Sequence, residues 1–190
     1  MTSPFIRMNS GIDVCLETPT PDMINPRDIA HHLALINRFN GATETPYSVA
    51  QHCVLVADLL FVKKQPAHVC LWGLLHDAHE AYLGDVTTPV KAAVFGALPV
   101  PSQWDHLTHH FDMTIRQRFN MAVTPAEDRE VKLADVTALA TEWRDLMQGP
   151  CPLAAKPAPH RVKPMAWHRA EDMFIKTFNT YARHLNLNEA

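Results

Sequence analysis

Leu74-Leu75-His76-Asp77-Ala78-His79-Glu80 decides how the rest of the chain is read. Val69, Trp72 and Leu75 recur at helical spacing, and Gly84-Asp85 stops the pattern, so one helix is predicted from about Pro66 to Leu83. A carboxylate inside such an apolar helix is costly unless it is paired or ligates a metal. Adjacent helix positions lie about 100° apart, so His76 and Asp77 can converge on one ion but cannot complete its shell. The remaining partners must come from other helices.

Two positions have matching contexts. His52 shares an inward stripe with Val49, Cys53, Val56, Leu59 and Leu60, one turn after Ser48-Val49-Ala50-Gln51, which has the form of a capping box. Asp135 interrupts the apolar pattern of Val131-Lys132-Leu133-Ala134-Asp135-Val136. His52, His76, Asp77 and Asp135 together offer two neutral nitrogens and two carboxylates. That set suits one divalent ion (Mn, Co, Fe, Zn or Mg), with coordination positions left for water and substrate.

The other elements follow from similar signals. Residues 1–24 are expected to form an extended arm, with room for a short hairpin. Asn25-Pro26, with Asp28 in the first turn, starts a helix whose face carries Ile29, Leu33 and Ile36, and Gly41 ends that unit. Thr87-Thr88-Pro89 starts a short segment, 96–101 is a loop, and Ser102 to Phe119 is helical in pattern. Thr124-Pro125-Ala126-Glu127 is a second capping box. Its helix runs to Gly149-Pro150. Five prolines in 149–164 exclude regular helix and make a surface loop. A last helix is expected from about Pro164 to His184, with Trp167, Phe174, Phe178, Tyr181 and Leu185 inward. The fold class is all-α, a compact bundle of about six to seven helices in one domain over 1–190.

Composition narrows the function. The chain has 190 residues, 47% apolar and 19% charged, with a net charge of −3, so a polymeric nucleic-acid partner is not expected. It has no 18-residue apolar run and no signal-like apolar stretch near Met1, so no membrane partner is expected and a cytoplasmic location is. The four cysteines (Cys15, Cys53, Cys70, Cys151) form no C-x-x-C pair and read as reduced thiols. Glycine-rich phosphate loops, H-E-x-x-H and Glu-x-x-His are all absent, which excludes Rossmann, P-loop, zincin and ferritin-like di-iron readings.

The combined pattern resembles the HD-domain metal-dependent phosphohydrolases. It is most similar to the branch containing the bacterial 5′-deoxynucleotidase and the phage dATP triphosphohydrolases. The likeness is carried by Asp28-Ile29-Ala30-His31, Asn37-Arg38-Phe39, Tyr47-Ser48-Val49-Ala50-Gln51-His52, Gly73 to Glu80, Gly84 to Lys91 and Thr141 to Met147, and covers roughly residues 27–148. It implies an HD-domain helical bundle in which His52, His76, Asp77 and Asp135 hold one metal ion and Glu80 assists the attacking water. It further implies that Arg38 binds phosphate, that Lys91 adds a second positive charge, and that Asp85 lies near the sugar. Phe39 stands where the deoxynucleotidase has tryptophan, at the position linked to base stacking. His79 neighbours Glu80 and can orient it or the substrate. His106, His109 and His110 fall where two-metal HD phosphodiesterases place extra ligands, but the branch resembled uses one ion.

The implied activity is hydrolysis of the phosphate ester of a nucleotide, first of all a deoxynucleoside monophosphate. A dNTP triphosphohydrolase is the alternative, because both attack the phosphorus nearest the sugar. Lys156, Arg161 and Lys163 of the proline-rich loop could supply charge for the longer phosphate chain. A nucleotide sensor with weak turnover and a two-iron HD oxygenase are further readings. Related nucleotidases often self-associate, so a homo-oligomer is a possible partner state.

Overall fold

A computed structural model describes residues 4–95 and 102–187. The N-terminal arm forms a hairpin of β1 (Phe5–Arg7) and β2 (Asp13–Cys15), paired antiparallel with Ile6 opposite Val14. Met8, Val14 and Ile24 are buried, so the arm packs on the core. The Ser10 amide and hydroxyl donate to Asp28 at 2.8 and 2.5 Å, which ties the hairpin to the first helix. Asp28 thus acts as a buried acceptor, where the sequence pattern indicated only a first-turn charge.

Among the described residues eight α-helical segments follow: α1 (Pro26–Leu35), α2 (Val49–Val62), α3 (Ala67–Leu75), α4 (Glu80–Leu83), α5 (Thr88–Phe95), α6 (Gln103–Arg118), α7 (Pro125–Leu146) and α8 (Trp167–His184). The fold is all-α apart from the two-stranded hairpin. Asn25 accepts from the Arg27 amide, and Thr124 with Glu127 forms the full capping box on α7. The expected box on α2 is half made. Ser48 accepts from the Gln51 amide, but the Gln51 side chain bonds Lys163 O (2.7 Å) and Met165 N (3.1 Å) instead of returning to Ser48.

The single helix expected over 66–83 is two helices, α3 and α4. His76 Nδ1 donates to Gly73 O at 2.8 Å, the acceptor that the Asp77 amide would use in a continuing α-helix. The bonds that follow run three residues back: Ala78 N to Leu75 O, Glu80 N to Asp77 O. His76 and Asp77 therefore sit in a tightened turn between two helices.

α2 packs against α3, α7 and α8, while α8 covers α1, α2 and α3. Phe174, Phe178 and Tyr181 present the inward stripe of α8 at i, i+4 and i+7. Trp167 does not join it. It is 47% exposed and meets the His31 ring edge-on, because α8 begins at Trp167, not near Pro164. Gly73 allows α2 and α3 their close approach, since a Cβ there would lie 2.2 Å from Leu60 Cδ1. That contact brings the His52 turn of α2 against the His76 turn. Gly84, at φ +81°, ends α4 in the left-handed region and directs the chain to Asp85.

The proline-rich loop is ordered. The Arg144 guanidinium donates to Ala158 O and His160 O, Val162 N donates to Asp145, and Ala158 N donates to Thr141. The loop expected at 96–101 lies outside the described residues. Among the described residues, no helix is long and apolar enough to cross a membrane.

Candidate metal centre

The four predicted ligands meet where α2, α7 and the 76–79 turn converge. His52 Nε2 lies 3.5 Å from Asp77 Oδ2 and 3.4 Å from Asp135 Oδ1, and His76 Nε2 lies 3.2 and 3.9 Å from the same two atoms. Both Nε2 atoms are buried and neither has a hydrogen-bond partner. Each Nδ1 is engaged: His76 with Gly73 O, His52 with Glu142 Oε1 at 2.7 Å. Both partners are acceptors, so each ring carries a proton on Nδ1. In the neutral tautomer, the two Nε2 lone pairs then face two carboxylate oxygens. Four acceptors this close together repel one another and suit a shared cation.

A proton meets that need in the metal-free protein. Burial and the Arg38 charge oppose it, but Glu142 and Asp135 outweigh them and push the His52 pKa up to about 9. Burial would raise Asp77 and Asp135 too. The neighbouring histidines instead hold both well below the usual carboxylate range. Asp135 divides its oxygens, with Oδ2 accepting from Lys132 at 2.7 Å and Oδ1 facing the histidines. The donor set, its spacing and the two unpartnered nitrogens fit one divalent transition ion. Cys53 also reaches this cluster: its Sγ and atoms of His76 and Asp77 lie within 4.8 Å of one another. Burial pushes its thiol well above the ordinary value, so it stays protonated.

Arg38 stands against the cluster, with Nε 3.1 Å from Glu142 Oε2 and Nη1 3.8 Å from Asp77 Oδ2. It sits in a one-turn 3₁₀ segment (Arg38–Gly41) in which Phe39 has φ 56°, a conformation rare for a bulky residue. The Phe39 ring lies 5.3 Å from the Arg38 guanidinium carbon and meets Trp143 edge-on. Glu80 is buried beside Asp77 and His79, and its Oε2 has no partner. Burial, reinforced by the charges of Asp77 and Asp85, pushes its pKa up to about 9. His79 Nδ1 donates to Asp112 of α6 at 3.0 Å. Asp85 is half-buried and within electrostatic reach of Arg38 and Asp77.

Lys91 is not brought against the cluster. Its ammonium sits 5.8 Å from the Trp104 ring centroid and acts on Asp85 and His79 only through space. His109 and His110 are exposed, and no ligand group found among the described residues includes a histidine of α6.

Sequence reasoning gave Glu142 no role. It is fully buried and accepts from Arg38 Nε, from Tyr47 Oη at 3.0 Å and from His52 Nδ1. Burial would raise its pKa, yet Arg38 and His52 hold it below the ordinary value. A signal was present: Glu142 follows Asp135 by two helical turns and shares its face.

No protein-family model matches the chain. An uncharacterised protein of Rhodobacter capsulatus is 40% identical to it over 149 residues, 75% of this chain and 72% of that protein. The uncharacterised Escherichia coli protein YfdR is 34% identical over 181 residues, 92% of this chain and 94% of its own length. Identity of this order, over nearly the whole of YfdR and over about three quarters of the R. capsulatus protein, places the chain in one family with each of them.

Proposed function

We propose that this protein is a metal-dependent phosphohydrolase of the HD-domain type that cleaves the phosphate ester of nucleotides, in the first place deoxynucleoside monophosphates. The observation that carries the reading is the pair of buried, unpartnered Nε2 atoms of His52 and His76 facing Asp77 and Asp135 beside a part-buried arginine. These four residues would hold one divalent ion. When bound, it would supply Lewis acidity, polarising a phosphoryl oxygen and lowering the pKa of the attacking water.

The chain's own groups supply the rest. Arg38 keeps Nε on Glu142 and turns its remaining N–H groups toward the cluster, where they can neutralise a phosphate. Glu80 exchanges a proton at Oε2, the atom left free. Asp112 fixes the orientation of His79 beside Glu80. Arg161, one of three cations available for a longer phosphate chain, is drawn to Asp145 at 3.6 Å. That favours the monophosphate over the triphosphate substrate.

The test is incubation with Mn²⁺ or Co²⁺ and a panel of NMPs, dNMPs and dNTPs, with products resolved by chromatography. Metal-dependent release of inorganic phosphate from dNMPs is expected. Metal bound but no product from any nucleotide overturns the proposal, and triphosphate release from dNTPs moves it to the alternative substrate.

A further inference from the structure

We infer that Glu142 is the positioning residue that couples the metal ligands to the phosphate-binding cation. The inference rests on the functional reading above. One carboxylate serves both halves of the site: Oε1 accepts from His52 Nδ1 at 2.7 Å and Oε2 from Arg38 Nε at 3.1 Å. Neither His52 nor Glu142 is exposed to solvent. Water therefore cannot replace either bond, and the two contacts stand or fall with one side chain.

The first bond determines a ligand. It holds the proton of the neutral His52 ring on Nδ1, which leaves the Nε2 lone pair directed at the cluster. The second bond determines a cation. It engages the guanidinium through Nε and leaves Nη1, 3.8 Å from Asp77 Oδ2, on the side of the cluster and of an anion bound there. Tyr47 Oη is the third donor to Glu142. It shares Oε1 with His52 Nδ1, so Tyr47→Phe removes a support of the carboxylate while leaving its bonds to His52 and Arg38 in place, which separates positioning from mere packing.

Replacing Glu142 by glutamine sets an amide N–H₂ against one of three donors and removes the charge from the other contacts. Wild type, Glu142→Gln and Tyr47→Phe are to be compared by Mn²⁺ binding (the free-ion paramagnetic resonance signal), by calorimetry with inorganic phosphate in the presence of Mn²⁺, and by thermal melting. Glu142→Gln is expected to weaken Mn²⁺ binding by ~10–100-fold, as for other lost outer partners of a metal ligand, and to weaken phosphate binding with it. Tyr47→Phe is expected to lower the melting temperature and leave both affinities close to wild type. Equal affinities in wild type and Glu142→Gln overturn the inference, as does a Tyr47→Phe variant that loses as much affinity as Glu142→Gln. If Glu142→Gln does not fold, Glu142→Asp carries the test. It keeps the charge but withdraws it by one methylene, and both affinities must still fall. Wild-type protein that binds no Mn²⁺ defeats the metal reading itself, whereas wild-type binding with an indifferent Glu142→Gln defeats only this role.

Discussion

Asp77 Oδ2 lies 3.2 Å from Nε2 of its chain neighbour His76 and 3.5 Å from Nε2 of His52 on another helix. Asp135 Oδ1 also faces both rings but stands farther from His76, at 3.9 Å. Asp77→Asn is therefore expected to lose metal and turnover together. The loss of affinity should exceed the ~10–100-fold typical of an outer partner, because a ligand is removed and not its support. Metal content after dialysis, measured beside nucleotide hydrolysis, checks this. Full turnover by the variant would show that the ligands are wrongly assigned.

Glu80 behaves differently because it lies beside the proposed ligand set without belonging to it. Its buried Oε2 has no partner, so truncation to Ala leaves no donor unsatisfied. Glu80→Ala is expected to keep its metal and lose ~10²-fold or more in rate, as for a missing acid–base group. A variant that loses metal as completely as Asp77→Asn would instead make Glu80 a ligand.

The pH dependence follows from two raised values. His52 moves from 6.5 to about 9 and Glu80 from 4.5 to about 9 on folding. For each, the folded protein holds its proton more tightly than the unfolded chain. The stability they contribute is therefore full below the unfolded values and is lost as pH rises through the folded ones. Metal binding needs His52 without its Nε2 proton and so grows over that window. The melting temperature of metal-free protein should fall from pH 4.5, where the Glu80 contribution starts to be lost, and more steeply between 6.5 and about 9, where the increase produced by added metal becomes larger. A metal-induced increase that shrinks with pH would contradict His52 as a ligand.

Packing between α2 and α3 gives a stability prediction. A Cβ on residue 73 meets Leu60 Cδ1 at 2.2 Å, and Val56 closes the other side at 3.5 Å. Gly73→Ala must shift Leu60 or part the helices, at a cost of about 1–3 kcal/mol for an overpacked core. Urea unfolding measures it. Because His76 Nδ1 uses the Gly73 carbonyl, weaker metal binding should accompany the loss. An unchanged midpoint would mean that Leu60 has free space to turn into.

Legibility in the sequence varied with the range of the interaction. α1 and α7 were readable because their caps and apolar stripes are local. The clustering of His52 and Asp135 was readable because both are polar groups set into apolar faces. The break after Leu75 was not, because it depends on the His76 side chain taking a backbone acceptor, which leaves the apolar period intact. Glu142 was hidden for another reason. In Glu142-Trp143-Arg144-Asp145 it resembles part of a solvated charged turn, and its partners Arg38 and Tyr47 lie 104 and 95 residues away. Trp167 misled because an aromatic at a helix start can lie against a surface histidine as well as in a core.

The proline-rich loop offers the last prediction. Gln51 holds it at two points, donating to Lys163 O at 2.7 Å and accepting from Met165 N at 3.1 Å. Gln51 also stands one residue before His52, so the same turn of α2 carries the loop anchor and a proposed ligand. If the anchor serves only the loop, Gln51→Ala releases it without disturbing the cluster, because His52 stays fixed by Glu142. Tryptic cleavage after Arg161 should then accelerate, while metal affinity stays near wild type. Arg144 and Asp145 hold the preceding stretch independently, so cleavage by chymotrypsin after the exposed Leu153 should change less. Equal acceleration at both sites would mean that the loop opens as one unit, with Gln51 as its principal anchor.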